Sequence, residues 1–192
     1  MPFFRKTAVA LSLAAGIVAT GQALAADYTL DTAGMHAAVN FRANHLGYSF
    51  VTGRFNTFSG SFSFDNTKPA ESTVSIEIDT TSVNSNHEKR DEHLRSADFF
   101  DVENHPKASF VSTSVTPTGD KTADVKGDLT IRGVSKEVTL KVTYIGEGND
   151  PWGGYRAGFS ASTEITPADF GMPHGVAKAP VQILIEAEGT RN

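Results

Sequence analysis

Along most of the chain apolar and polar residues alternate one by one. Met35, Ala37, Val39 and Phe41 are set against His36, Ala38, Asn40 and Arg42, and Val74, Ile76 and Ile78 against Ser75, Glu77 and Asp79. Successive side chains on an extended backbone point to opposite sides, so this period of two predicts strands with one buried and one solvated face. The pattern returns in Ala123, Val125, Gly127, Leu129 and Ile131, and again in Val138, Leu140, Val142 and Tyr144. Two further runs are Tyr155, Ala157, Phe159 and Ala161, and Val181, Ile183, Ile185 and Ala187. Turn residues separate them: Asn66-Thr67-Lys68-Pro69, Pro117-Thr118-Gly119-Asp120, Arg132-Gly133, and the stretch from Gly148 to Gly154.

One run changes parity. Val51, Gly53 and Phe55 are odd, whereas Phe58, Gly60, Phe62 and Phe64 are even. An extra residue near Asn56-Thr57 would form a bulge that bends one long strand and keeps both sets inward. Such bends curl a sheet toward closure. About eight short strands then predict an all-β fold, an antiparallel eight-stranded barrel, with a two-sheet sandwich as the rival that shares the patterning.

The chain opens with MPFFRKTAVALSLAAGIVATGQALA, in which basic Arg5 and Lys6 precede an apolar run and Ala23-Leu24-Ala25. Residues 1–25 are therefore expected to be a signal peptide cleaved after Ala25, leaving one exported domain over residues 26–192. The apolar run is short for a membrane span. There is no cysteine, so neither a lipoprotein anchor nor a disulfide is expected. The formal net charge is −5 and becomes more acidic once Arg5 and Lys6 are removed, and the remaining basic residues are interspersed with acids. That distribution speaks against nucleic acid as a partner.

The most polar stretch is NHEKRDEHLRSADFFDVENHP, Asn86 to Pro106. Ser85 stands three residues before Glu88, a capping-box spacing that predicts a short helix from Asn86 to about Ser96. His87 and His93 are six positions apart, roughly 120° around such a helix, so they do not share a metal. His87 and Asp91 do lie one turn apart, but a firm zinc site needs three or four ligands, and an ordinary surface contact is the preferred reading. Asp91 and Arg95 have the favourable i,i+4 order. Leu94 and Ala97 give the helix only a thin apolar edge, so it must lie against something already folded. Phe99, Phe100, Val102 and Phe110 follow, too much apolar area to leave in water. Helix and phenylalanines together read as a lid over one end of the barrel, with Phe99 and Phe100 either completing the core or touching a ligand.

These residues carry a family resemblance. AVNFRANHLGYSFVTGRF (38–55), NHEKRDEHLRSADFF (86–100), GDLTIRGVSKEVTL (127–140) and DPWGGYRAGF (150–159) occur in an order that resembles the YceI-like family, periplasmic polyisoprenoid-binding proteins with a lipocalin-like barrel. The segment GMPHGVAKAP (171–180) has no counterpart that can be matched residue by residue. The resemblance implies a periplasmic, non-enzymatic binding protein with no cofactor. Its ligand would be an isoprenoid lipid of the quinone or polyprenyl phosphate class, held in an apolar channel, and the reading allows a homodimer. The inward sets would supply the wall: Val39, Phe41, Phe58, Gly60, Phe62, Ile76 and Ile78 from the first half of the chain, and Phe110, Leu129, Ile131, Leu140, Phe159, Ala161 and Ile183 from the second. Leu94, Phe99 and Phe100 would close it. Small residues, among them Ala37, Gly53, Gly60, Gly127, Ala157 and Ala161, would leave the space. A polar head would need partners at the mouth, for which Arg42, His45, Arg54, Arg90 and His93 are the candidates, Arg90 foremost.

Two other functions compete. A secreted hydrolase would use Ser49 with His45 and Asp31, but Gly47-Tyr48-Ser49-Phe50-Val51 lacks the second glycine of a nucleophile elbow and runs into a strand. A stress-protective module that binds other proteins would use Trp152. The plainer expectation is that this tryptophan packs back on the barrel rim.

Overall fold

The computed structural model of the chain describes residues 25–172 and 179–192; the leader read over residues 1–25 lies outside them except for its last residue, as does most of the segment 171–180. Eleven strand segments follow one another: β1 (Ala26–Leu30), β2 (Ala38–His45), β3 (Ser49–Phe55), β4 (Phe58–Phe64), β5 (Thr73–Asp79), β6 (Val83–Asn84), β7 (Lys107–Gly119), β8 (Thr122–Ile131), β9 (Val134–Asn149), β10 (Tyr155–Ile165) and β11 (Val181–Arg191). A helix, α1 (Glu88–Arg95), stands between β6 and β7.

β11 closes the sheet. Its residues Val181–Glu186 pair with Ala43–Ala38 of β2, and Gly189–Arg191 pair with Leu30–Tyr28 of β1. β1 and β2 therefore occupy successive lengths of one stave. β4 and β3 do the same beside them, and β5 and β6 beyond those. Counted this way the ring holds eight antiparallel staves, the predicted barrel rather than a sandwich. Among the described residues no helix is long and apolar enough to cross a membrane.

Two sequence expectations shift. The bend at Asn56-Thr57 is a break between β3 and β4 rather than a bulge inside one strand. Asn56 N donates to Ser82 O at 3.1 Å and Thr57 N to Ser82 Oγ at 3.0 Å, so the backbone leaves the ladder to bond the turn before β6. The strand expected from Met35 starts at Ala38 instead. The Asp31 carboxylate accepts from Gly34 N at 2.7 Å and bonds His36 Nδ1 at 2.9 Å, which curls residues 31–37 into a turn and leaves Met35 61% exposed.

The small inward residues serve packing more than space. Gly53 lies under the ring of Phe41 on β2, and Gly127 lies under the ring of Phe110 on β7. A Cβ at Gly60 would stand 2.6 Å from Ser75 O and 3.0 Å from Leu30 Cδ1. Ala37 and Ala157 are buried in the cluster around Tyr28 and Phe62. These positions seat large neighbours across the ladder, as aromatic cover of strand glycines does elsewhere. Gly127→Ala is expected to cost about 1–3 kcal/mol, because its methyl would meet Phe110 Cζ and the Val111 carbonyl oxygen, both at 2.5 Å. An unchanged urea midpoint would contradict this close packing.

The β4–β5, β7–β8 and β9–β10 connections gather at the end far from α1. There Arg156 of β10 ties three elements together: Nε donates to Asp150 Oδ2 at 2.9 Å, and Nη1 donates to Asp31 Oδ2 at 2.5 Å and to Glu188 Oε1 at 2.7 Å. The guanidinium, then His36 and the Gly34 amide, hold the Asp31 carboxyl well below the usual carboxylate range, and Arg156 is raised in turn. A carboxyl depressed in the folded state contributes stability above its unfolded value of about 4, and loses it as pH falls through the folded value. Melting temperature should therefore fall as pH drops below about 4. Arg156→Gln should be less stable at neutral pH and show a flatter acid limb; parallel pH profiles for the two proteins would refute the coupling.

Candidate functional site

The site begins with the local chemistry of α1. Its N-cap is His87, whose Nδ1 accepts from Arg90 N at 3.3 Å, and the helix runs Glu88–Arg95, two residues shorter at its start than predicted. The capping box expected of Ser85 and Glu88 is not formed. Ser85 is drawn to Asp91 instead: its hydroxyl and its amide both donate to Asp91 Oδ1, at 2.5 and 2.7 Å. Arg90 completes this knot, Nε donating to Ser85 Oγ and Nη2 to Ser85 O, each at 2.7 Å. Asp91 is only 8% exposed. Burial works against its charge, yet the hydrogen bonds from Ser85 outweigh burial and leave the carboxyl below its ordinary value. With His87 capping and Asp91 turned inward, the two do not converge on a common ion. Arg95 likewise misses the expected pair: it reaches Val83 O at 3.4 Å and acts on Asp91 only through its field.

After α1 the chain folds over the barrel end. Phe100 N donates to Leu94 O at 2.9 Å, and Arg132, from the β8–β9 turn, donates through Nη1 to Ala97 O at 2.8 Å and to Phe99 O. The Phe100 ring meets Phe55 edge-on at 5.5 Å. Helix and loop form the predicted lid, and Leu94, Phe99 and Phe100 are its ceiling.

Beneath this ceiling lies a cavity of about 180 Å³. Its wall takes Val39 and Phe41 from β2, Ile76 and Ile78 from β5, Phe110 from β7, Leu129 and Ile131 from β8, Leu140 from β9 and Ile183 from β11. A second cavity of about 410 Å³ continues toward the far end, walled by Phe62, Val74, Val125, Val142, Phe159 and Ala161. Ile76, Leu140 and Ile185 border both, so the two cavities adjoin at mid-barrel, and the pair is called the channel below. Phe58 and Gly60 stand in neither wall. Phe58 packs between two core clusters, and the space beside Gly60 belongs to Leu30. Phe55, read as inward but not as part of the wall, also borders the cavity, and sequence reasoning passed over Thr163, Ile165 and Met172, and over Arg132 as a fastener of the lid.

The five mouth candidates do not converge on the channel. Arg42 and Arg54 are exposed on the outer face, Arg42 with its guanidinium 3.6 Å from the Phe50 ring centroid. Their parity could have shown this, since each adjoins an inward phenylalanine, Phe41 or Phe55. His45 is exposed at the end of β2, and His93 pairs with Asp98 at 3.1 Å above Phe99. Arg90 is committed to Ser85. Charged and polar side chains border the channel at the far mouth instead, where Asn66, Asp120 and Lys121 come from two hairpin turns.

The competing readings also find their residues dispersed. His45 and Ser49 are cross-strand partners in an exposed hairpin, while Asp31 is held by Arg156 and His36. The length of β11 from Val181 to Glu188, roughly 20 Å of strand, separates the two groups. Asp31, His36 and Glu188 offer ligand atoms within 4.8 Å of one another, but the Arg156 guanidinium already supplies the cation there. Trp152 does not pack back on the rim: it is 76% exposed, with the Arg156 guanidinium 5.5 Å from its ring centroid. The glycines beside it leave no wall to cover it.

The Ser85–Arg90–Asp91 knot predicts how the lid fails. Asp91→Ala strips the partner from two buried Ser85 donors and should lower stability by about 2 kcal/mol. Amides of residues 85–102 should exchange faster than the barrel's, and loss confined to barrel amides would contradict the assignment.

The family model described as YceI-like domain matches residues 28–189. A UPF0312 protein of Pseudomonas putida strain F1 is 50% identical over 188 residues, covering 97% of this chain and 98% of that protein. Among solved structures, BcnA of Burkholderia cenocepacia superposes with a TM-score of 0.74 at 26% identity, covering 83% of this chain and 98% of that one. A polyisoprenoid binding domain from Saccharophagus degradans, implicated in plant cell wall breakdown, superposes with a TM-score of 0.65 at 16% identity, covering 88% of this chain and all of that one, and shows the shared fold.

Proposed function

We propose, from the premise that the chain belongs to the YceI-like domain family, that it is a periplasmic binding or carrier protein for an isoprenoid-type amphiphile of the polyprenyl phosphate or quinone class. The observation that carries the reading is the channel itself. Two apolar cavities adjoin at Ile76, Leu140 and Ile185, one beneath the lid and the other bordered by the far turns. An eight-stranded barrel is just wide enough either to be filled by its own side chains or to hold one ligand, and this interior is not filled. A long hydrocarbon chain matches a corridor of this shape better than a flat or polar molecule does, because its wall offers apolar contact throughout and few hydrogen-bond partners. The Saccharophagus degradans domain, described as polyisoprenoid binding, gives the same barrel that use. The leader sequence supports export.

The test is to express the chain with its leader, purify it from the periplasmic fraction and identify what organic solvent extracts from it. An isoprenoid lipid is expected, on a chain whose mass begins at Ala26. Ala161 borders the wider cavity, so Ala161→Phe should fold with a similar melting temperature and carry several-fold less lipid. An extract free of isoprenoid lipid, or a full load on the folded variant, would tell against this function or this wall.

A further inference from the structure

The β2–β3 hairpin carries an apolar tip that the fold leaves uncovered. Leu46 is 67% exposed, Tyr48 88% and Phe50 51%, three large apolar residues within five positions. Tyr48 N donates to His45 O at 3.0 Å, and the two central residues, Leu46 and Gly47, have φ of 56° and 80°. This is a type I′ turn, whose first central position favours Asn, Asp or Gly. Leucine there is strained, and nothing in the fold uses its side chain.

Charge sets the same hairpin apart. No Asp or Glu occurs from Thr32 to Phe64, although the chain as a whole is acidic. Arg42 and Arg54 lie on the outer face of the hairpin, and among the described residues neither forms an ion pair; Arg42 stacks on Phe50 instead. The tip also continues the channel: Ala43 and Asn44, just before the turn, line the cavity under the lid. An aromatic and leucine wedge backed by Arg42 on Phe50, with Arg54 farther along the same outer face, matches the interface of an anionic bilayer, where apolar side chains enter the acyl boundary and guanidinium groups meet phosphates.

We infer that the Leu46–Phe50 tip docks the barrel on an anionic phospholipid surface with the lid end toward the membrane. This rests on the carrier reading for its purpose: a lipid moving between bilayer and channel at this end would avoid crossing open water. The docking is testable without any cargo.

Sedimentation with vesicles of phosphatidylglycerol and phosphatidylethanolamine should show binding, and vesicles of phosphatidylcholine alone should show little. Leu46→Asn combined with Tyr48→Ser should weaken binding to the anionic vesicles roughly tenfold, since it removes most of the wedge's apolar area. The melting temperature should hold or rise, because asparagine suits the turn. Arg42→Gln with Arg54→Gln should reduce the preference for phosphatidylglycerol. Trp152, at the far end, provides an internal control. Its emission should not move on adding vesicles, whereas a Tyr48→Trp variant should shift to the blue. Failure of the parent chain to bind vesicles, or equal binding by the Leu46/Tyr48 double variant, would overturn the inference. So would a dimer in sedimentation velocity that the double variant dissolves while vesicles capture no protein, since the tip would then cover a second copy. Solvent extraction of the same preparations separates the two proposals: vesicle binding by protein that never yields lipid would remove the carrier function and leave the docking surface.

Discussion

Everything in this barrel depends on the division of β11 between two partners. A strand edge left unpaired in water is a template for association, and closure is the one arrangement that removes it. β11 closes the ring only because β2 takes its first half and β1 its last. That division requires the turn at residues 31–37, which lets the chain leave β1 and resume as β2 farther along the same stave. The turn is held by the Asp31 carboxylate, and the Arg156 guanidinium that binds Asp31 also binds Glu188 of β11 and Asp150 of the β9–β10 turn. One cation thus fixes the break in the first stave to the strand that the break serves.

Closure also decides what the interior can be. Inward positions must alternate with outward ones on every stave, and the large inward residues of neighbouring staves compete for the same radius. Glycines under the rings of Phe41 and Phe110 resolve the competition near the wall, drawing those rings against the backbone and away from the axis. None of Gly53, Gly60 and Gly127 borders either cavity. The lid end is covered by an element outside the ring: among the described strands β6 pairs with β3 alone, and Leu94 of α1 with Phe99 and Phe100 of the following loop lie over the cavity there.

The barrel and most of its wall were legible because both rest on the period of two, which survives any detail of pairing. Of the wall residues expected from alternation, only Phe58 and Gly60 fall outside the channel, and both sit beside the break between β3 and β4 or its new ladder. What was not legible depends on contacts between distant residues. Ser85 has the spacing of a helix cap, but the carboxylate of Asp91 competes for its hydroxyl and wins, leaving His87 to cap. Arg132 reads as a turn residue, and only the folded chain brings it to the carbonyls of Ala97 and Phe99. The mouth arginines were misplaced for a different reason. A place near one end of the barrel does not make a side chain face its mouth, and parity sets Arg42 and Arg54 outward.

The two ends of the channel consequently differ in kind. At the far end the cavity is bordered by the β4–β5 and β7–β8 turns, Asn66 donating to Glu147 of β9, while Arg156 and its three carboxylates lock the β9–β10 turn to β11 and to the turn after β1. At the lid end the cover is an eight-residue helix with a thin apolar edge, attached through Ser85, Arg90, Asp91 and Arg132 and by the rings of Phe99 and Phe100. None of these attachments is a rung of the barrel ladder. Local opening follows the element with the fewest buried contacts and ladder bonds, so the lid can detach while the ring stays closed.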